Sequence, residues 1–414
     1  MKIYAIALAD EAQRFVKGYP PKGAYLFLRP NLEICRLATL ITQTDSLTYL
    51  DERIEQLDLT DEKPELTLIH VDLNQDEPAR SLVERLNELG LNPLLFGPGP
   101  SRWREAAPEW ARHYVKGDIT AIWQEIRADA ERGSLKPVYR APRQPKYVVP
   151  KAGLGRWPQM NTRHQTINFI RGCACPESVR PFCSEFLYFD HNLVRRTKEE
   201  IVGEVISLPG KFIQLLDEDV ARFPDYYYDI FRTMWDYRRH WMVNASTSLF
   251  RHPELIQLLA KAGVKVVYLN ETFLEGRLAA ALTSPTVVHS LYRQVKFLQS
   301  RRMLVACRLL IRLDQQPRPD FNLLADVLRR IDLDFIEPRF ITRGPDGIDR
   351  LVSVNYRPML DAHDPAWIRS RFYSLGQILN RLIRRPRRVG FYSTLLYLLP
   401  YSFAYRQNFL EGLT

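Results

Sequence analysis

TINFIRGCACPESVRPFCSEF, residues 166–186, begins as a strand and ends as a thiol-bearing loop. Ile167, Phe169 and Ile170 form a β-branched and aromatic run suited to a buried strand, and Gly172 ends it. Three of the five cysteines follow at once: Cys173, Cys175 and Cys183. Thiolates gathered in one loop at the carboxyl end of a strand are where a soft metal or an iron–sulfur cluster would be held. Nothing else in the sequence implies an oxidising compartment, so a metal outranks a disulfide. In an extended chain Cys173 and Cys175 point to opposite sides, and both reach one centre only if the chain turns, which Pro176 permits. The plainer alternative is a loop that holds no cluster.

Downstream, strand and helix signals alternate. Strands are predicted at Thr166–Arg171, Phe212–Leu216, Met242–Ala245, Val264–Leu269, Val305–Ile311 and Phe335–Phe340. The stretches between them read as helices: Lys198–Ser207, Tyr227–Tyr237, Pro253–Ala262, Pro285–Ser300 and Asn322–Ile331. Six such repeats predict a partial (β/α)6 barrel of the TIM type, with reactive residues at the carboxyl ends of its strands. Those ends carry Leu216-Asp-Glu-Asp219 after the second strand, Asn270-Glu271-Thr272 after the fourth, and Arg308 on the fifth. The bland reading of each is a solvated or ion-paired rim residue.

Upstream the same alternation appears: strands at Ile3–Leu8, Leu66–Val71 and Leu94–Phe96, helices at Leu32–Thr42, Arg80–Leu89 and Ile119–Arg132. This predicts a Rossmann-like, doubly wound parallel sheet with a ligand crevice at its carboxyl edge. The loops there are rich in Gly and Pro: Gly18-Tyr-Pro-Pro21, Gly97-Pro-Gly-Pro100 and Lys116-Gly117-Asp118. Glycines let a planar or phosphate-bearing ligand approach the backbone, although each loop alone also reads as a tight turn. No G-x-G-x-x-G fingerprint is present, so a nicotinamide or flavin reading is unsupported. Residues 136–160 are dense in Pro, Lys and Arg and read as a linker. The expected domains are 1–135, a linker at 136–160, a barrel at 161–345 and a helical region at 346–414.

The 414 residues suffice for two or three domains, and 46% hydrophobic with 26% charged is an ordinary globular composition. No signal peptide is read at the start, where Asp10 and Glu11 break the apolar run, and Pro400 interrupts Val389–Tyr405, so a cytoplasmic protein is expected. The net charge of +10 is uneven: residues 1–140 sum to −4 and residues 141–414 to +14. A basic second part suits nucleic acid, anionic lipid or an anionic small substrate, or is a solvated face. No nucleic-acid module with interleaved aromatics is recognisable, so no nucleic acid is expected. Arg381, Arg384, Arg385, Arg387 and Arg388, followed by the apolar run from Val389, either lie on a membrane surface or form a core-packing helix after a basic loop. No zinc spacing, Ser-His-Asp order or P-loop turns up.

Arg171-Gly-Cys173, closing with Phe182-Cys-Ser184, resembles the cluster loop of radical S-adenosylmethionine (SAM) enzymes. The family's cysteines are separated by three and then two residues; here one and then seven intervene. The order strand, Gly-Pro loop, helix, then His113-Tyr-Val-Lys-Gly-Asp118 resembles the cobalamin-binding domain that precedes the radical SAM domain in one large family. An Asp-x-His-x-x-Gly motif for an axial histidine is absent. Arg371-Phe-Tyr-Ser374, Gln377–Arg381 and Ala404-Tyr-Arg406 resemble that group's tail helices.

The resemblance implies a [4Fe-4S] cluster on Cys173, Cys175 and Cys183, with one iron left open for SAM. It implies that Asp217, Glu218 and Asp219 hold the SAM amino group, Glu271 accepts from a ribose hydroxyl, Arg308 faces the carboxylate and Phe182 stacks on adenine. Asn270 and Thr272 depart from the family's Gly-x-Glu-Ser motif. Cobalamin would lie by Pro21, Gly97, Gly99, Gly117 and Asp118. The implied chemistry is reductive cleavage of SAM, hydrogen abstraction from an unactivated carbon of a small-molecule substrate, and delivery of a methyl group by cobalamin; some relatives rearrange or cyclise instead. A reductant such as flavodoxin or ferredoxin would supply the electron. The alternative is a cobalamin- or SAM-binding protein without a cluster, acting as a sensor, a partner subunit or a polar methyl-transfer protein.

Overall fold

The computed structural model describes residues 1–9, 30–55, 57, 63–73, 75–103, 107–142, 146–151, 164–172, 183–189, 193–274, 277–314, 320–343, 349–352 and 366–406. The chain divides into two compact units: Met1–Thr162 with Ile170–Thr197, and Arg163–Phe169 with Lys198–Thr414.

The first unit is built on six parallel strands, β1 (Lys2–Ala7), β2 (Ser46–Asp51), β3 (Leu66–His70), β4 (Leu94–Phe96), β5 (His113–Lys116) and β6 (Val138–Arg140). Their order is β2-β1-β3-β4-β5-β6. The central strands β1 and β3 are mostly apolar, as strands covered on both faces are, and Ile3, Ile6, Leu68 and Ile69 are fully buried. Strand order reverses between β1 and β3, so crossovers of one hand place helices on opposite faces. The helix Leu32–Leu40 starts where the Asn31 side chain accepts from the amides of Glu33 and Ile34. The expected helix over 119–132 is broken: Asp118 caps a 3-10 turn, Ile119–Ala121, and the α-helix runs Trp123–Glu131. Three strands go beyond the sequence reading. β2 begins with half-exposed residues, β5 is four residues long, and β6 lies in the stretch marked by composition as extended linker.

The second unit opens with β7 (His164–Ile167). Two short strands of the first unit follow, β8 (Ile170–Arg171) and β9 (Val194–Arg195), paired antiparallel. Thr166–Arg171, expected as one strand, is thus two. The Phe169 amide donates to the Asp217 carboxylate at 2.9 Å instead of to a neighbouring strand, which ends the ladder.

The second unit continues with β10 (Phe212–Leu215), β11 (His240–Ala245), β12 (Val264–Leu269), β13 (Leu304–Arg312), β14 (Phe335–Arg343) and β15 (Asp349–Val352). The sheet order is β15-β14-β13-β12-β11-β10-β7, parallel except for β15. It is the expected partial barrel. Helices Lys198–Ser207, Pro224–Met234, Pro253–Lys261, Pro285–Ser300 and Phe321–Ile331 link the strands, and three of them open on a proline whose fixed φ suits a first turn.

The tail closes the sheet at one end. Tyr397, Tyr401 and Tyr405, spaced four apart, share a helical face. Tyr397 meets Phe212 and His240, Tyr401 meets Met242 and Phe335, and Tyr405 meets Phe335 and Tyr268. Phe212, His240 and Phe335 are the first residues of their strands, so the tyrosines fill the amino end of the barrel. The tail is therefore a core-packing element, with its buried face already occupied.

Candidate functional site

With the amino end filled, the carboxyl end is left to charged groups on the same sheet face. On β14, Phe335, Glu337 and Arg339 alternate onto one side, so the strand that starts under tyrosine next presents an acid and a base on that face. Arg308 stands beside Glu337 in the register of β13 with β14. Its Nε lies 3.5 Å from Glu337 and its Nη1 3.5 Å from Glu218, the residue after Asp217 at the end of β10. Two strands separate β13 from β10, and only a curled sheet lets one side chain reach across them. Arg339 completes the group with a 3.0 Å contact to Glu337. Burial works against the charge on Arg308, but Glu337, Glu218 and Glu271 outweigh it and hold the guanidinium firmly protonated. Tyr268 on β12 lies 6.0 Å beneath that guanidinium.

The acidic run 217–219 divides into three jobs. Asp217 is buried, and its carboxylate accepts from the Phe169 amide at 2.9 Å and the Tyr227 hydroxyl at 2.6 Å. The Asp217 carbonyl accepts from Asn244 at 2.9 Å. Burial and the Asp217 charge push the Tyr227 hydroxyl well above its ordinary pKa, so it stays a donor. Asp219 accepts from the amides of Ala221, at 2.8 Å, and Ser246, at 2.9 Å, tying the end of β10 to that of β11. Glu218, 45% exposed, is the carboxylate turned to the mouth. Glu271 begins a 3-10 turn whose Asn270 side chain accepts from the Thr272 amide and hydroxyl, so Asn270 and Thr272 brace the glutamate.

Glu337, Arg339 and Tyr268 were not singled out by sequence. Two charges at i and i+2 inside the otherwise apolar Phe335–Ile341 are the signal that was there to read.

At the carboxyl edge of the first sheet the predicted residues meet their own chain. Gly97 has φ +117, and a Cβ there would sit 2.5 Å from the Val71 carbonyl oxygen. A Cβ on Gly99 would meet the Asp72 carbonyl oxygen at 2.9 Å, and one on Gly117, at φ +93, would press on Ala141. These glycines are required by the turns themselves. Asp118 accepts from the Thr120 amide and pairs with buried Arg36 at 2.6 Å, which holds its carboxyl below the usual range against the opposing effect of burial. Glu33, in the first turn of the helix Leu32–Leu40, accepts from the Tyr188 hydroxyl at 2.7 Å and lies 3.5 Å from His70 at the end of β3. Pro21 lies outside the described residues.

The cysteine loop is fastened at its base. Glu185 accepts from Arg171 Nε at 2.9 Å and from the Gly172 amide at 2.8 Å, so a residue two after Cys183 holds the residue just before Cys173. Cys183 is buried ahead of the helix Ser184–Phe189. Cys173, Cys175 and Phe182 lie outside the described residues. Among the described residues no three His, Cys, Asp or Glu side chains gather as a metal site. The donor chemistry of three thiols in one clasped loop suits iron; the barrel mouth, with a fixed cation beside carboxylates, suits an amino-acid zwitterion.

No protein-family model matches the sequence. Bacteriochlorophyllide d C-12(1)-methyltransferase of Chlorobaculum tepidum is 21% identical over 247 residues, 57% of this chain and 54% of that protein, so the match spans about half the relative's length. The radical SAM methyltransferase TsrM from Kitasatospora setae, solved with tryptophan and a SAM analogue, superposes with TM-score 0.55 at 14% identity, over 83% of this chain and 73% of that one. TsrM has also been solved with cobalamin and a [4Fe-4S] cluster bound. The cobalamin-dependent SAM radical enzyme OxsB, solved with aqua-cobalamin, gives TM-score 0.54 at 12% identity, over 79% and 52%. At these identities the likeness to the solved structures is one of fold.

Proposed function

We propose that this chain, which has the fold of the cobalamin-dependent radical SAM enzymes TsrM and OxsB, is itself a methyltransferase of that type, acting on an unactivated carbon of a small molecule. The observation that carries the reading is the pair Arg308 and Glu218, 3.5 Å apart at the mouth of the barrel. A buried guanidinium and a half-exposed carboxylate are matched to the carboxylate and ammonium of SAM, and each charged hydrogen bond contributes about 1.5–3 kcal/mol. Glu337 keeps Arg308 aimed when no ligand is present, which lowers the ordering cost of binding. Asp217 and Asp219 position the strand ends that carry Glu218.

Cys173, Cys175 and Cys183 would hold the cluster, and the carboxyl edge of the first sheet would hold cobalamin; together these groups supply the redox and methyl-carrying chemistry that side chains lack. A flavodoxin or ferredoxin would be the reductant.

SAM binding is measured by equilibrium dialysis on the anaerobically reconstituted chain. Glu218→Gln and Arg308→Met should each weaken it about tenfold or more, whereas Asp219→Asn should act mainly on stability. Equal affinity in all three variants would remove the assignment. In parallel, reconstitution should give about four irons per chain, lost in the alanine variants of Cys173, Cys175 and Cys183. Iron retained by one variant would show that its cysteine is not a ligand, and no iron in the reconstituted wild type would leave the cluster-free binding protein as the surviving reading.

A further inference from the structure

The tail has a second face that the barrel does not use. On the helix Leu375–Arg384, Leu375, Leu379 and Ile383 recur every four residues and are 58%, 58% and 68% exposed, while the opposite side buries Ile378 and Arg381. Farther along, Phe391 is 64% exposed and Leu395 48%. Between these apolar stretches stand Arg384, Arg387 and Arg388, all exposed. Residues 365–410 contain no Asp or Glu. An apolar stripe of this kind on a soluble surface marks an interaction site.

We propose that this face of the tail docks on an anionic lipid bilayer, with Leu375, Leu379 and Ile383 entering the acyl boundary and Arg384 and Arg387 lying at the headgroups. Charge decides between occupants. A second copy of the chain in a two-fold contact would bring the same patch against itself, arginine facing arginine; residues 365–410 hold no carboxylate, and Asp332 beside them is already engaged by Arg385 and Arg388. An anionic leaflet attracts each arginine and takes the apolar stripe in the same plane. Among the described residues no helix is long and apolar enough to cross a membrane, so the contact is with a surface.

The test is co-sedimentation of the full chain with vesicles of phosphatidylglycerol and phosphatidylcholine in equal parts, against vesicles of phosphatidylcholine alone. Binding is expected to the first only and to weaken as salt is added. Arg384→Gln with Arg387→Gln should lower the partition coefficient about 25-fold, roughly five-fold per arginine. Leu379→Glu should abolish binding while leaving the melting temperature unchanged, since the side chain is exposed. The proposal is overturned if wild type sediments with neither vesicle, or if Leu379→Glu binds as well as wild type. It is equally overturned if wild type is a dimer in light scattering that Leu379→Glu dissociates, because a second copy is then the occupant. Should Leu379→Glu fail to fold, the arginine pair and the salt series on wild type decide the matter.

Discussion

Replacing Arg385 by methionine should destabilise the second unit far more than the same change at its neighbour Arg384. Arg385 is 1% exposed and lies in a nest of acceptors. Its Nε is 2.5 Å from Asp334, its Nη2 is 2.8 Å from the Asp332 carboxylate and 2.9 Å from the Asp332 carbonyl, and its Nη1 is 3.2 Å from Gln299. Asp334 is fully buried and also accepts from the Val305 amide at the start of β13, at 2.8 Å. Removing the guanidinium leaves that carboxylate buried without its cation, a loss of about 3–5 kcal/mol. For a unit of this size, with a urea slope of about 3 kcal/mol/M, the midpoint should fall by roughly 1–1.7 M. Arg384 is exposed, and its replacement should cost no more than about 0.5 kcal/mol. Hydrogen-exchange mass spectrometry in urea, read on peptides from β13 and β14, isolates this unit from the other. Adding Asp334→Asn to Arg385→Met should recover part of the loss, since it removes the stranded charge and keeps an acceptor for the Val305 amide. Identical midpoints for the Arg384 and Arg385 variants would refute the reasoning.

Two further outcomes concern the first unit. Gly97→Ala puts a methyl group 2.5 Å from a carbonyl oxygen at φ +117, and should lower stability by more than the ~1–3 kcal/mol of backbone strain alone, read as the urea midpoint of peptides from β3 and β4. His70 is buried, which disfavours its charge, yet Glu33 and Asp72 reverse the balance and raise its pKa above 6.5. A raised folded-state pKa gives stability that is complete below the unfolded value and fades as pH rises through the folded one. The thermal midpoint of wild type should therefore fall relative to His70→Gln as pH is taken from below 6.5 into the alkaline range; parallel curves would show that folding leaves the His70 pKa unchanged, and the opposite trend that folding lowers it.

The barrel strands were legible because they are buried on both faces. Val264–Leu269 and Val305–Ile311 are apolar runs broken by a single charge each and bounded by helix signals, and the helices Lys198–Ser207 and Pro285–Ser300 have their observed ends in the sequence. Edge strands were not. Ser46–Asp51 and Val138–Arg140 are short and partly solvated, so their side chains carry no sustained period. The antiparallel β15 likewise went unread.

Charge patterns were visible as clusters, but the cluster is the wrong unit. Arg381 to Arg388 looked like one basic patch; folding buries Arg381 and Arg385 as structural cations and leaves Arg384, Arg387 and Arg388 outside. Asp217, Glu218 and Asp219 looked like one ligand motif; folding makes the first and last of them braces for strand ends and turns only Glu218 toward Arg308. Local sequence determined the period of each element, and so the two sheets and the end of the barrel at which chemistry belongs, because backbone geometry repeats over a few residues. Which side of an element a given charge faces depends on partners far away in the chain, as with Glu218 and Arg308, ninety residues apart. Only the tertiary structure decides that, since a buried charge is held by whatever counter-charge the fold brings to it.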